Sequence, residues 1–434
     1  MHPHSVESSW RQRARSATLI GLAALLSACG GGDPGSTVSA ASSTVDLAAL
    51  DAPATVTGPV AARATVPLSP LAQLGQQIFN DSNLSVPRGT SCASCHTPGK
   101  GFADNHGGNF GVAVGSLPGS IGLRNSLSNA YSARTPAFGF VPAANGQGVI
   151  ARGGLFWDGR ADTLAQQALG PFLEPSEMNN PNAGAVVQAV AQASYAPAFL
   201  AQFGNSVFST PAQAFAAIGQ ALQAFEQSQL LQPFTSKYDA VVRQQASFTP
   251  AEQRGLNLFL DRQRGNCAGC HRANPATGNP LDSPFTDFSY MATGVPRNPA
   301  IPANANPAFF DLGLCGPKRA TPTPPAGVDA ASLCGKFRMP SLRNVALRQR
   351  YMHNGVFSDL HEVVAFYSTR VSNPQHWYGP SGVPNDLPSA YLGNLETQRP
   401  PFNRRAAQGP VLTQAEINDL VAFMGTLSDG YTAP

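Results

Sequence analysis

Apolar residues recur with a helical period in two stretches near the carboxyl end of the chain. In the first stretch, from Asp359 to Tyr367, they occupy positions i, i+3, i+4 and i+7, namely Leu360, Val363, Val364 and Tyr367. In the second stretch, from Thr413 to Leu427, they are Ile417, Leu420, Val421 and Met424. Each stretch opens with a capping pair, Asp359 with Glu362 and Thr413 with Glu416. The pattern predicts two amphipathic helices, each with one apolar face turned inward.

A second kind of pattern is an internal repeat of helix starts. Ser69-Pro70 opens a segment that contains Gly75 and Ile78-Phe79, and Thr249-Pro250 opens a segment that contains Gly255 and Leu258-Phe259. A Ser or Thr followed by Pro is typical of an N-cap and the first helical turn. The repeat therefore predicts two short helices at equivalent places in two similar halves of the chain.

Each of these predicted helices leads to a Cys-x-x-Cys-His pentapeptide. The two pentapeptides contain Cys92, Cys95 and His96, and Cys267, Cys270 and His271. Two thiols at this spacing can each bond one vinyl group of a haem, and the following imidazole can bind the iron. The sequence thus predicts two covalent haem c groups. The alternative is one zinc ion held by four cysteines, which does not need the two histidines.

The repeat and the two haem motifs together predict the fold class. We expect an all-α protein made of two cytochrome-c-like haem domains with long loops. The predicted domains are residues 67–246 and 247–434, because the second helix start follows a break near residues 245–247. The final amphipathic helix would pack on the second domain.

The first residues carry the features of a bacterial export signal. Arg11, Arg13 and Arg15 precede a short apolar run that ends in Leu26-Ser27-Ala28-Cys29. This pattern predicts a lipoprotein signal peptide over residues 1–28, with Cys29 as the acylated residue, and a flexible linker over residues 29–66. A protein anchored by lipid to the outer membrane and facing the periplasm would follow. The alternative is an ordinary signal peptide with an incidental cysteine.

Cysteine usage and charge narrow the picture further. The chain has seven cysteines, so that Cys315 and Cys334 remain after the haem motifs and Cys29 are counted. An oxidising periplasm would allow a disulfide between them, and the alternative is two free thiols. Only 12% of residues are charged and the formal net charge is +3. This weak charge argues against binding of nucleic acid.

The chain resembles the bacterial di-haem cytochrome c peroxidase and MauG family over about residues 67–430. The resemblance rests on the two haem motifs and on four further segments, whose order and spacing match the family. They are Phe156-Trp157-Asp158-Gly159-Arg160-Ala161, Pro175-Ser176-Glu177-Met178, Phe337-Arg338-Met339-Pro340-Ser341-Leu342-Arg343-Asn344-Val345 and Tyr351-Met352-His353-Asn354-Gly355. The resemblance implies that the N-terminal haem is the peroxide site and that the C-terminal haem transfers electrons.

Three residues are expected at the peroxide site because of this resemblance. Glu177 would be the catalytic acid–base and Gln167 would position peroxide or water by hydrogen bonding. Trp157 would lie between the two haems as an electron relay. The alternatives are a helix-capping or exposed role for Glu177, a surface role for Gln167 and a core-packing role for Trp157.

The resemblance also places a ligand opposite His271 on the second haem iron. Peroxidases of the family usually have Met at this position, whereas this chain has Tyr367, as in the MauG subtype. Tyr is a hard, anionic ligand that favours high oxidation states of iron. The alternatives are that Tyr367 only packs in the core, or that Met339 or Met352 binds the iron instead.

Two further features follow from the family pattern. Asn125 matches a calcium ligand, and the accompanying backbone carbonyls would be those of Arg348 and Arg350. His106 lies in a loop that in some peroxidases blocks the first haem, although a solvated loop histidine fits its shorter spacing better. His353 is expected either at the second haem or in a structural role.

Three functions remain open at this point. The first is a peroxidase that reduces hydrogen peroxide with electrons from a small cytochrome c or a cupredoxin. The second is a MauG-like oxidase that modifies a protein substrate, although Gly265 stands where such enzymes have a surface Trp. The third is a di-haem electron carrier without turnover. Family members are often dimers, so a homodimer is also expected.

Overall fold

The computed structural model describes residues 67–432, except 144, 145, 147 and 405. The predicted signal peptide, the lipidation site Cys29 and the linker lie outside the described residues. Within the described part, no helix is long and apolar enough to cross a bilayer.

Helices dominate the described chain, joined by long loops and short 3-10 turns. In chain order they are α1 (Pro70–Asn80), α2 (Cys92–Cys95), α3 (Leu164–Leu173), α4 (Ala183–Ala191), α5 (Ala196–Phe203), α6 (Pro211–Glu226), α7 (Lys237–Val242), α8 (Pro250–Leu260), α9 (Leu360–Thr369), α10 (Pro374–Tyr378) and α11 (Gln414–Gly425). The predicted N-caps are present: the Ser69 hydroxyl accepts from Ala72 N, and the Thr249 hydroxyl from Glu252 N. The two predicted amphipathic helices are α9 and α11.

The strands are few and short. The strands β1 (Gly139–Pro142) and β2 (Val149–Arg152) form one antiparallel pair. The strands β3 (Tyr290–Met291) and β4 (Phe337–Arg338) form another, in which Tyr290 is opposite Arg338. The all-α prediction is therefore confirmed only as a helix-rich fold, because the loops contain two small sheets that apolar periodicity did not predict.

The repeat in the sequence is also a repeat in packing. Helix α1 crosses α6 at Gly75, where an added Cβ would lie 1.9 Å from the Ala221 carbonyl oxygen. Helix α8 crosses α11 at Gly255, where an added Cβ would lie 2.0 Å from the Asp419 carbonyl oxygen. A glycine is required at both crossings because the two helix backbones touch. The same close approach thus supports each Cys-x-x-Cys-His motif.

Two main apolar clusters form the core of the described residues. The first draws on α1, α3, α4, α5 and α6, and the second on α7, α8, α9, α10 and α11. Tyr238 and Val242 of α7 belong to the second cluster. The helices up to α6 therefore pack in the first cluster, and those from α7 onward pack in the second. This change falls shortly before the predicted domain boundary at residue 246.

Candidate active site

Both histidines of the Cys-x-x-Cys-His motifs are oriented in the same way. His96 Nδ1 lies 3.0 Å from the Phe102 carbonyl oxygen, and His271 Nδ1 lies 3.1 Å from the Phe285 carbonyl oxygen. A carbonyl only accepts, so each Nδ1 carries the proton and each Nε2 keeps its lone pair. Burial lowers the pKa of both imidazoles, which favours the neutral form. Each imidazole is thus ready to bind a metal through Nε2.

The four cysteines of the motifs lie in short helical turns and form no disulfide. The backbone N–H of His96 donates to the Cys92 carbonyl at 3.0 Å, and that of His271 to the Cys267 carbonyl at 2.7 Å. Each turn brings two thiols next to one imidazole, the donor set that covalent haem attachment requires. Among the described residues, no three or more His, Cys, Asp or Glu side chains converge so that they could hold one metal ion between them. The alternative of one four-cysteine zinc site is therefore wrong.

A large cavity adjoins the first motif. It encloses about 1230 Å³ of space between atoms, including open solvent at its mouth. Its wall contains Cys92, Cys95, His96, Asn125, Trp157, Gln167 and Glu177. The cavity therefore brings together the donor set for a covalent haem.

Glu177 forms part of the cavity wall, on a turn that follows α3. Its backbone N–H donates to the Glu174 carbonyl at 2.9 Å, and its carbonyl accepts from Ser116 N at 2.7 Å. Gly115 lies against the same turn, since an added Cβ would come within 2.7 Å of the Ser176 carbonyl carbon. Burial, and then the nearby Glu174 carboxylate, raise the pKa of Glu177 to about 7. This value suits proton transfer at neutral pH.

Gln167 lies on α3 and faces the same cavity. The helix begins at the N-cap Thr163, whose hydroxyl accepts from Gln166 N. Ala168 and Pro171 of the same helix also line the cavity, whereas Gln166 is exposed. Gln167 is therefore half-buried in the wall of the site, not on the outer surface of the helix.

Trp157 is buried in the wall of the first cavity. Its indole N–H donates to the Asn125 carbonyl at 2.7 Å, and its own carbonyl accepts from Arg338 N at 2.8 Å. The next residue, Met339, packs in a small cluster with Cys270 and Tyr367 near the second motif. The indole thus lines the first cavity. The Trp157 carbonyl is hydrogen-bonded to β4, and the residue after β4 packs near the second motif.

The residue after Trp157 holds this region together. Asp158 is fully buried, and its carboxylate oxygens form ion pairs with the guanidinium groups of Arg124 at 2.7 Å and Arg160 at 3.0 Å. Burial opposes its ionisation, but the two guanidinium groups outweigh burial and lower the pKa of Asp158. Arg124 also forms a two-pronged pair with Asp311, at 2.6 and 2.8 Å. This network fixes the loop that presents Trp157.

Tyr367 lies at the second haem motif. It projects from α9 and packs with Met291, Met339, Phe402 and Cys270. Burial, and then the Cys270 thiol, raise the pKa of Tyr367 above its ordinary value. The phenol therefore keeps its proton unless a cation replaces it. Met339 is a close neighbour and remains a competing ligand, and Met291 is a neighbour that the sequence did not single out.

Asn125 lies at the interface that was predicted to bind calcium. Its amide nitrogen Nδ2 donates to the Arg350 carbonyl at 3.0 Å and to the Met352 carbonyl at 3.1 Å. The Arg348 carbonyl accepts the Tyr351 hydroxyl at 2.9 Å. The calcium site itself stays a prediction.

The two notable histidines have different surroundings. His106 is half-buried, and its Nδ1 lies 3.2 Å from the Val114 carbonyl oxygen. It is not among the residues that line the first cavity. His353 stacks on Phe337 at 3.6 Å and meets the edge of Trp157 at 6.4 Å. His353 is therefore packed in the aromatic group around Trp157.

Two cavity residues were not found from the sequence. Glu226, at the end of α6, is 3% exposed, and its Oε1 accepts from Asn129 at 2.9 Å. Burial raises the pKa of Glu226 to about 8. Lys318, from the loop closed by the Cys315–Cys334 disulfide, lines the cavity and pairs with Glu174 at 2.8 Å. Neither residue lies in a segment with a recognisable motif.

Comparison with known proteins agrees with this arrangement. Residues 69–247 match the family described as di-haem cytochrome c peroxidase. The methylamine utilization protein MauG of Paracoccus denitrificans is 37% identical over 364 residues, which cover 83% of this chain and 88% of that protein. The cytochrome c551 peroxidase of Nitrosomonas europaea is 26% identical, covering 68% of this chain and 71% of that protein.

The fold agrees as well. The crystal structure of the diheme peroxidase BthA from Burkholderia thailandensis superposes with a TM-score of 0.77 at 42% identity, covering 84% of this chain and 88% of that chain. The family implies two covalent haem c groups, and the two motifs and the first cavity fit them. The chain therefore belongs to the di-haem cytochrome c peroxidase and MauG family, whose members are oxidoreductases of the peroxidase type.

Proposed function

We propose that this protein reduces hydrogen peroxide at the N-terminal haem site, with electrons delivered through the C-terminal haem. The observation that carries the proposal is the first cavity. It places a haem attachment motif, a carboxyl group with a pKa of about 7 and the amide of Gln167 around one space. A carrier that only transfers electrons does not need an acid–base group beside an accessible haem.

The reaction requires protons as well as electrons. Reduction of one hydrogen peroxide to two waters consumes two electrons and two protons, and breaks the O–O bond. When bound, the haem would supply the iron and the electrons for this reduction. Glu177 would accept a proton from one peroxide oxygen and donate it to the other, which leaves as water. Gln167 would orient the peroxide by hydrogen bonding, and His96 would hold the iron through Nε2.

Trp157 supports electron transfer between the two sites. Its ring is buried, and its indole N–H is hydrogen-bonded. Its carbonyl accepts from Arg338 N, and the next residue, Met339, packs near Cys270 of the second motif. We infer that Trp157 is the relay between the two haems.

We also propose that the protein has two domains, residues 67–246 and 247–434. Each would be a cytochrome-c-like unit with one haem.

Tyr367 favours a second candidate function, a MauG-like oxidase that modifies a partner protein. Its packing together with Cys270 supports a role as the second protein ligand of this haem. The expected exit residue is absent, however, because Gly265 stands there. A Cβ at this position would meet the Leu258 carbonyl oxygen at 2.3 Å. A protein substrate would therefore need another electron path, and we favour peroxide reduction.

The remaining features complete the proposal. The protein would be a lipoprotein anchored through Cys29 and facing the periplasm, where a small cytochrome c or a cupredoxin donates electrons. A calcium ion at Asn125 would stabilise the interface between the two halves. Tyr367 and His271 would hold the second haem iron.

The test uses the purified holoprotein. EPR of the oxidised protein and stopped-flow mixing with stoichiometric peroxide would be recorded for the wild type and for Glu177→Gln, Gln167→Ala and Tyr367→Met. The adjacent, exposed Gln166→Ala is the control for Gln167→Ala. We expect Glu177→Gln to slow the peroxide reaction by about 100-fold or more. We expect Gln167→Ala to slow it about tenfold, the effect of about one hydrogen bond, and Gln166→Ala to have no effect.

The outcomes separate the candidate functions. Turnover of peroxide with a reduced cytochrome c or cupredoxin supports the peroxidase. A long-lived oxidised state that forms without a donor and is lost in Tyr367→Met supports the MauG-like oxidase. Two low-spin haems that stay inert to peroxide, even after reduction, would overturn both and leave the electron carrier.

A further inference from the structure

The mouth of the first cavity contains a cation that comes from the other half of the chain. Lys318 Nζ lies 2.8 Å from Glu174 Oε2, and the side chains are 25% and 24% exposed. Lys318 also lines the cavity that contains Glu177. The ion pair is therefore partly buried at the rim of the proposed peroxide site.

Glu174 belongs to the turn that presents Glu177. Its carbonyl accepts from Glu177 N at 2.9 Å and from Asn179 N at 3.1 Å. Its Oε1 accepts the Ser176 hydroxyl at 2.9 Å. Burial opposes the ionisation of Glu174, but Lys318 outweighs burial and lowers the pKa, so that Glu174 is a carboxylate. A fixed negative charge thus lies three residues from Glu177 on the same turn.

Lys318 is held in place by its neighbours. The guanidinium of Arg319 donates to the Asp158 carbonyl at 2.5 Å and stacks over the Phe138 ring at 4.5 Å. Three residues before Lys318, Cys315 is joined to Cys334 by the disulfide. The loop is thus anchored at both sides of Lys318, which favours a fixed position of the ammonium group.

Few charged groups act on Glu177. Glu174, on its own turn, opposes its ionisation, while Arg160, from the segment before α3, and Lys318 favour it. From α2 the Cys92 and Cys95 side chains also act on it, and as haem thioethers neither would carry a charge. Arg160 is already paired with Asp158 at 3.0 Å. Lys318 is therefore the group that balances the charge of Glu174.

We propose that Lys318 is a positioning residue of the peroxide site: it neutralises Glu174 and so sets the pH range in which Glu177 accepts a proton. This inference rests on the proposed role of Glu177. Without Lys318, the uncompensated Glu174 carboxylate disfavours a second negative charge nearby. Glu177 then holds its proton to higher pH, and the reaction with peroxide requires a higher pH.

The test is a charge cycle in the holoprotein. The rate constant for peroxide would be measured from pH 5 to pH 9 in the wild type, Lys318→Met, Lys318→Arg, Glu174→Gln and Lys318→Met/Glu174→Gln. We expect Lys318→Met to move the acid limb up by about one pH unit. Lys318→Arg keeps the charge and leaves the limb in place. The double variant removes both charges and returns the limb close to that of the wild type.

A second readout is independent of turnover. The carboxyl stretching band of Glu177, identified by its loss in Glu177→Gln, would be titrated by infrared spectroscopy in the resting holoprotein. It should shift in parallel with the acid limb. If Lys318→Met and Lys318→Arg move both readouts equally, or if the double variant does not recover, the inference is wrong. If Glu177→Gln keeps the wild-type rate, the proposed function itself fails.

Discussion

Glu226 should make the stability of this protein depend on pH in a predictable direction. Its side chain is 3% exposed, and its Oε2 has no hydrogen-bond partner among the described residues. Burial raises the pKa of Glu226 to about 8, from an ordinary value of 4.5. The folded protein therefore keeps this proton up to about pH 8, whereas the unfolded chain releases it above pH 4.5.

The sign and size follow from proton linkage. Between the two pKa values the folded state binds more protons than the unfolded state, so the free energy of unfolding falls as the pH rises. Between pH 5 and pH 8 the loss from Glu226 alone is about 3 kcal/mol. Above pH 8 the group is ionised in both states and the loss is complete. Glu177 also lowers the free energy of unfolding as the pH rises, but it does so equally in every variant that retains Glu177.

Guanidinium unfolding of the holoprotein at pH 5 and pH 8 would measure this. Glu226→Gln keeps an acceptor for Asn129 but cannot ionise. We expect it to match the wild type within about 1 kcal/mol at pH 5. At pH 8 it should be more stable than the wild type by about 3 kcal/mol. Equal pH dependence of the two proteins would refute the reasoning, because Glu226 would then be ionised in the folded state.

The internal repeat supplies a matched second variant. Phe225 packs on Gly75 as Phe423 packs on Gly255. The residues that follow these two phenylalanines, Glu226 and Met424, therefore occupy equivalent positions. Asn129 N donates to the Phe102 carbonyl as Leu342 N does to the Phe285 carbonyl, so Leu342 corresponds to Asn129. Asn129→Leu/Glu226→Met copies this apolar pair into the first half. It should remove the same pH dependence.

Three further predictions concern other parts of the molecule. Trp157→Phe loses the indole hydrogen bond to Asn125; peroxide should still react at the first haem, but stopped-flow spectra should show slower oxidation of the second. Gly255→Ala forces a Cβ to 2.0 Å from the Asp419 carbonyl and should lower the free energy of unfolding by about 1–3 kcal/mol, measured by guanidinium titration; no loss would contradict the close crossing. Opening the 19-residue disulfide loop with Cys315→Ala/Cys334→Ala should cost about 3 kcal/mol in the same assay, and an unchanged stability would show that the loop is held by its other contacts.

The local parts of the site could be predicted from the sequence. The two haem motifs, the N-caps at Ser69 and Thr249 and the inward face of α9 depend on residues within one or two helical turns. Glu177 and Gln167 could be found because they lie at fixed distances from a recognisable segment, and the structure places both at the first cavity.

Other parts depended on contacts between distant segments. The ion pair of Lys318 with Glu174 and the hydrogen bond from Asn129 to Glu226 each join residues that are far apart in sequence and lie in no motif. The raised pKa of Glu226 results from burial, which is a property of the packed core and not of the residue. The hydrogen bond from Asn125 to the Met352 carbonyl likewise could not be predicted, because any residue type supplies a carbonyl oxygen.

The sequence by itself thus determined the cofactor class, the helical repeat and the residues that have family counterparts, since these depend on residue type and spacing along the chain. Only the tertiary structure decided which charges surround Glu177, which carboxyl group is buried neutral and which side chains surround Tyr367. The physical reason is that electrostatic and burial energies depend on distances in space. Loops of this length leave those distances open until the chain has folded.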